Sequence, residues 1–97
     1  MYARVAKFEG AQSDALRREA DDISSRAASG PPEGVPASGF LMLIDPDSGR
    51  SLAISLFATE SDLRKGSETL DAMNRSSDDA GKRTSVETYE VAVDIRG

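Results

Sequence analysis

The segment Gly39–Asp45, GFLMLID, is apolar on both faces of any strand built from it, with Phe40, Met42 and Ile44 on one side and Leu41 and Leu43 on the other. A strand of that kind must be covered twice. The chain has little apolar material for the purpose: 19 of its 97 residues are Leu, Ile, Val or Phe, just under the level of about 20% at which disorder competes with folding. Disorder also calls for high net charge, and 12 basic against 17 acidic residues leave only −5. The expectation is one folded domain, residues 1–97, too short for two cores and with an apolar surface left for a partner to cover.

On either side of this segment the hydrophobic period switches between two and a helical repeat. Residues 2–9, YARVAKFE, alternate Tyr2, Arg4, Ala6 and Phe8 against Ala3, Val5, Lys7 and Glu9, as a strand does. Gly10 ends it, and Ser13 is placed to cap a helix in which Asp14 suits the positive N-terminus. Leu16, Ala20, Ile23 and Ala27 then form a narrow apolar stripe among charged neighbours. The run SGPPEGVP, residues 29–36, stops that helix.

After GFLMLID, the turn formers of DPDSGR lead directly into a second apolar run, residues 51–58, so the two runs read as a hairpin. Thr59 and Asp62 have the spacing of a capping box, which starts a second helix carrying Leu63, Leu70 and Met73 on one face. Gly66 within it costs about 1 kcal/mol relative to Ala, which favours close packing there over a merely tolerated weakness. Residues 76–83 read as a polar loop, and residues 84–95 as a last strand with Tyr89, Val91, Val93 and Ile95 on one side.

The resulting order, β-α-β-β-α-β, with short connections and right-handed crossovers, predicts an α+β, ferredoxin-like sandwich: an antiparallel sheet with two helices on one face. The opposite face then has no cover within the chain. Pairing of two subunits through that face, as a homodimer, is the economical solution.

Composition removes several kinds of chemistry. Without Cys there are no disulfides, thiolate nucleophiles or Cys zinc sites, and without His there is no imidazole ligand or base. No metal site and no cofactor is expected. Asp45, Asp47 and Gly49 have the look of a calcium loop, but position 56, where the closing glutamate belongs, is Leu. An acidic chain with no basic run is a poor nucleic-acid binder. Its longest apolar run, five residues from Phe40 to Ile44, is far short of the ~20 of a membrane span. The amino terminus alternates at once, without the apolar block of a signal peptide, and predicts an unprocessed cytoplasmic protein.

No phosphate loop, dinucleotide fingerprint or nucleophile elbow is present. Arg4, on a strand between Tyr2 and Ala6, is either half of a structural ion pair or dimer contact, or a guanidinium that orients an anionic or phenolic ligand; Glu87 and Glu90 are its expected partners. Tyr89 is either core or a phenol that bonds a ligand oxygen. Phe40, Met42, Phe57 and Met73 are either ordinary core or the walls of an apolar pocket for a planar ligand. Asn74 and Arg75, near the end of the second helix, have capping or solvent roles.

The opening YARVAKFEG, the hairpin SGFLMLIDPDSGRSLAISLFATESDL and the closing VETYEVAVDI resemble small actinobacterial members of the dimeric α/β-barrel superfamily, especially proteins with the antibiotic biosynthesis monooxygenase (ABM) domain. Nine Arg to three Lys and thirteen Ala fit such a high-GC source. The resemblance covers nearly the whole chain and implies two sheets paired into a barrel, with helices outside and a pocket between sheet and helices in each subunit. It further implies either a small-molecule-binding barrel for an apolar or aromatic metabolite, or a cofactor-independent monooxygenase acting on an electron-rich, polyketide-like aromatic. The haem-degrading branch of the superfamily uses a His ligand and an Asn–Trp pair, and with neither His nor Trp that activity is disfavoured. Arg4 and Tyr89 are the polar candidates for an oxygenase pocket.

Overall fold

The computed structural model describes residues 1–28, 30, 34–72 and 81–95. Its elements follow the predicted order: β1 (Tyr2–Glu9), α1 (Ser13–Ala27), β2 (Gly39–Asp45), β3 (Arg50–Phe57), α2 (Glu60–Ala72) and β4 (Lys82–Glu90). The four strands form one antiparallel sheet in the order β2-β3-β1-β4, so β1 lies between β3 and β4 although both follow it in sequence. That is the ferredoxin-like arrangement.

Two local signals act as the sequence predicts. The amide of Asp62 donates to Thr59 Oγ1 at 3.1 Å, so the Thr59 hydroxyl caps α2. Gly66 marks a close approach: a Cβ there would stand 2.7 Å from Phe57 Cζ, so only a glycine lets α2 settle on the ring. Phe57, fully buried, packs with Val35 and Leu63, and Tyr2, Ala37 and Leu70 close around them.

Two expectations are corrected. Gln12, not Ser13, stands at the N-cap of α1, and no side chain bonds the free amides there. Instead the Ala11 amide donates to the Gly49 carbonyl at 3.0 Å, which ties the start of the helix to the β2–β3 turn. The last strand ends at Glu90 rather than Ile95; beyond it the Val91 amide still bonds the Met1 carbonyl at 2.8 Å, while Val93 and Ile95 project into solvent.

The register assigns each side chain to a face. Tyr2, Arg4, Ala6 and Phe8 stand beside Phe57, Ser55, Ala53 and Ser51 in turn, and Phe40, Met42 and Ile44 continue these rows onto β2. This face meets the helices, with α2 packed on β1 and β3. The other face carries Ala3, Val5 and Lys7 with Leu56, Ile54 and Leu52, flanked by Leu41 and Leu43 on β2 and by Tyr89 and Glu87 on β4. No element of the chain forms a second layer over it among the described residues, and Leu41, Leu43 and Tyr89 are about half exposed at 53%, 48% and 51%.

Candidate functional site

The helix-facing side of the sheet has small or polar residues where a core would place large apolar ones. Arg4, Ala6, Ser51 and Ser55 are all buried, and Ala53 is half-buried between the two serines. Arg4 is 4% exposed, which for a charged side chain requires a partner. Its Nη2 donates to Asp71 Oδ1 at 2.7 Å near the end of α2, and Asp71 itself is half exposed. The expectation that Glu87 or Glu90 would serve is therefore wrong. Glu87 lies on the other face, and Asp71 reaches Arg4 because α2 runs antiparallel to β3 and brings its last turn over β1.

Asp71 Oδ1 also accepts from Arg83 Nη1 at 2.9 Å. Arg83 is on this face because of an irregularity. The β1–β4 register shifts between Lys7 and Phe8, so that Phe8 pairs with Arg83 instead of Thr84. A one-residue shift moves a side chain across the sheet, and here it delivers a second guanidinium to the same carboxylate. Two positive groups thus share one negative oxygen.

Two buried polar atoms on this face have no hydrogen-bond partner among the described residues: Arg4 Nε and Ser51 Oγ. An orphaned buried donor costs roughly 1–3 kcal/mol, so such atoms are rare and mark places where an acceptor is wanted. Neither serine was singled out from the sequence. The signal was present in β3, where Ser51, Ala53 and Ser55 alternate with Leu52, Ile54 and Leu56, a pattern that separates a small face from a large one.

Of the other predicted residues, Phe40 and Met42 lie on the helix-facing side of β2, Phe40 at 43% exposure and Met42 half-buried. Phe57 is at the centre of the cluster beneath Gly66. Met73, Asn74 and Arg75 lie outside the described residues. Tyr89 is on the opposite face from Arg4, so the structure does not bring these two together. Its hydroxyl donates to Glu87 Oε2 at 2.5 Å, while Lys7 Nζ meets Glu87 Oε1 at 2.8 Å. The Lys7 hydrogen bond, followed by that of Tyr89, holds the Glu87 carboxyl below its ordinary value; the same contacts push the Lys7 ammonium and the Tyr89 phenol up.

A groove of about 540 Å³ lies at one end of the sheet, lined by Met1, Gly39, Phe40, Leu41, Leu56, Val91, Asp94 and Ile95. Most of these side chains continue the uncovered apolar face. Asp94 carries the only charged side chain among them, so the groove lacks convergent polar groups.

No protein-family model matches the chain, and no curated protein matches it. Solved structures do. The crystal structure of a Deinococcus radiodurans protein provisionally assigned as an antibiotic biosynthesis monooxygenase is 14% identical, with 100% of both chains covered and a TM-score of 0.58. A variant of MhuD, crystallised with two manganese protoporphyrin IX molecules bound per active site, is 16% identical over 99% of this chain and 98% of that one, with a TM-score of 0.59. The chain has an ABM-like, ferredoxin-like fold. At these identities the likeness concerns the fold alone.

A porphyrin of the kind held by the MhuD variant does not suit the residues of this chain. Its metal would want an axial ligand, and the chain has no His or Cys. Tyr2 packs against the Phe57 cluster and Tyr89 is bonded to Glu87 on the uncovered face. Among the described residues no three acidic, His or Cys side chains group as metal ligands.

Proposed function

We propose that this chain is one subunit of a dimeric α/β barrel and acts as a cofactor-independent ABM-type monooxygenase on an electron-rich aromatic held between sheet and helices. The observation that carries the reading is Arg4, a buried guanidinium with one donor engaged by Asp71 and another, Nε, unpartnered. Phe40, Met42 and Ile44 on the neighbouring strand supply apolar surface for a ring system. The name of the Deinococcus radiodurans structure adds the reaction class.

The chemistry requires little of the protein. An anthrone-type substrate loses a proton to give an enolate, whose negative oxygen a guanidinium stabilises. The enolate carbon transfers an electron to dioxygen and combines with it, giving a hydroperoxide after protonation. Loss of water leaves the quinone, so one dioxygen supplies one oxygen atom to product and one to water. By analogy with an oxyanion-hole donor, Arg4 contributes about 3 kcal/mol to that step.

Wild type, Arg4→Ala and Tyr89→Phe incubated with anthrone in air, without flavin or metal, test the reading by the absorbance of the quinone. Arg4→Ala is expected to lose about 100-fold in rate, and Tyr89→Phe, on the far face, to keep the wild-type rate. Equal rates in all three proteins and in buffer reject the oxygenase. The second reading, a catalytically silent barrel that binds an apolar or aromatic metabolite, is favoured by the isolation of Arg4. The residues paired with it, Ser55 and Thr88, carry no basic group, and Asp71 is already bonded to two guanidiniums.

A further inference from the structure

The uncovered face of the sheet differs in charge from the rest of the molecule. Strand alternation and register place three cations on it, Lys7, Arg50 and Lys82, and three anions, Glu9, Asp45 and Glu87. Lys7 Nζ meets Glu87 Oε1 at 2.8 Å, Arg50 Nη2 meets Asp45 Oδ2 at 3.0 Å, and Lys82 stands opposite Glu9 in the β1–β4 register. The chain as a whole carries −5, so its excess of negative charge lies elsewhere. Two copies of so acidic a chain repel each other in most orientations. Through a locally neutral face they approach without that penalty, and a neutral, largely apolar face is complementary to itself. A basic or acidic partner would find no net charge here to match.

Within this face the two halves are unlike. Between the Asp45–Arg50 pair and the far end of the strands, β2 and β3 contribute Leu41, Leu43, Leu52, Ile54 and Leu56, without a polar side-chain atom. β1 and β4 contribute Lys7, Glu87 and Tyr89. Glu87 accepts from Lys7 on one oxygen and from Tyr89 on the other, the latter at 2.5 Å. A carboxylate has further lone pairs and an ammonium three protons, so these contacts exhaust neither group. In a lone chain solvent meets the rest, since Lys7 and Glu87 are 47% and 38% exposed.

A surface that closes over this half must replace that solvent. Where it brings leucines, the ion pair is desolvated without compensation, which costs more than its attraction returns. Where it brings polar atoms, the remaining lone pairs and protons are met. Registers of two otherwise apolar faces therefore differ in free energy chiefly through this group, as a single polar position does in a coiled-coil seam.

We infer that the uncovered face seats a second copy of this chain, and that the contacts among Lys7, Glu87 and Tyr89 fix the register in which that copy sits, at a cost in affinity. This rests on the proposed dimer and adds which residues decide its geometry. The same face with the three groups made apolar would bind more tightly and in more than one register.

Sedimentation velocity over a concentration series reads the affinity. Lys7→Met alone leaves the Glu87 carboxylate without its cation and should weaken the dimer at least about tenfold. The triple variant Lys7→Met/Glu87→Leu/Tyr89→Phe, apolar throughout, should instead tighten it about tenfold or more. The register is read separately. The chain has no Cys, so Ser24→Cys, exposed on α1 in the other layer, carries one nitroxide label per subunit. Pulsed dipolar spectroscopy should give one narrow label-to-label distance in the otherwise wild-type dimer and a broad or multiple distribution in the triple variant. If the triple variant does not fold by circular dichroism, the weakening by Lys7→Met remains the test.

A tighter triple variant that keeps one narrow distance would overturn the inference, because the register would then be set by the apolar residues. Affinities unmoved by either substitution would overturn it too, by placing the three groups outside the contact, while the dimer itself would stand. A wild type that is monomeric at low micromolar concentration would overturn the dimer reading and the inference together, and would leave the face to a partner of another kind.

Discussion

The two faces of the sheet distribute size and polarity in opposite ways. Toward the helices stand Arg4, Ala6, Ser51 and Ser55, small or polar and buried; away from them stand Leu41, Leu43 and Tyr89, large and about half exposed. Burial in a single subunit therefore does not follow hydrophobicity. A face covered by helices of the same chain can hold polar groups, because α2 brings Asp71 to meet one of them. A face without such cover gains by being large and apolar only if another surface closes on it. The contrast separates a covered face that buries polar groups from an uncovered face that is large and apolar.

The most severe way to break the comparison is a charge at the centre of the uncovered face. Ile54 lies there, between Val5 on β1 and Leu41 on β2. Burying an unpaired carboxylate in an apolar interface costs several kcal/mol, so Ile54→Asp should raise the dimer dissociation constant by more than about 100-fold while circular dichroism stays that of a folded chain. Sedimentation velocity over a concentration series reads the change. A wild type that is monomeric at low micromolar concentration, or an Ile54→Asp protein that remains dimeric, would remove the assembly role of this face. Ile54 is a better probe than Val91 or Val93, the positions that strand alternation in the tail would select, because both lie beyond the end of β4.

On the covered face the corresponding break is steric. A methyl group at position 66 meets the ring of Phe57, itself fully buried against Val35 and Leu63. Overpacking of this kind costs about 1–3 kcal/mol, and the gain of about 1 kcal/mol in helix propensity offsets part of it. Gly66→Ala should thus lower the thermal midpoint by several degrees, at roughly 4–8 °C per kcal/mol for a domain of this size. The dimer constant should not move. An unchanged or raised midpoint would mean that α2 can lift from the sheet without penalty.

These two experiments also mark how far the sequence could be read. The order of elements, the Thr59 cap and the close approach at Gly66 were legible because each depends on local periodicity or on one residue's special chemistry. The partner of Arg4 was not, since it depends on where the last turn of α2 falls over β1, a tertiary distance that no spacing along the chain encodes. Arg83 was hidden for a different reason: strict alternation puts it on the uncovered face, and only the register shift beside Phe8 turns it inward. Tyr89 and Arg4, paired as candidates by residue type, separate once odd and even positions on β1 and β4 are matched. Ser51 and Ser55 were overlooked because a serine in an apolar strand gives no signal alone; the alternation with Leu52, Ile54 and Leu56 gives it meaning.

The smallest expected effect sharpens the comparison instead of breaking it. Lys7, Glu87 and Tyr89 form a chain of polar contacts within the otherwise apolar uncovered face. Glu87 is held below its ordinary value of 4.5, first by the Lys7 hydrogen bond and then by that of Tyr89, so its contribution to stability is present above that value and is lost as pH falls through the folded one. Lys7 is raised above 10.5 and Tyr89 above 10.0, so theirs is present below those values and lost as pH rises through the folded ones. The thermal midpoint of wild type should exceed that of Glu87→Gln by a constant amount from about pH 6 to 9 and converge with it as pH falls through the lowered value of Glu87. In a lone subunit these groups are open to water, which screens the contacts and keeps the difference slight. If a second subunit covers the face, screening falls and the same substitution matters more. The difference should therefore be larger in the wild-type background than in the Ile54→Asp background, and an equal difference in both would place the trio outside the covered area.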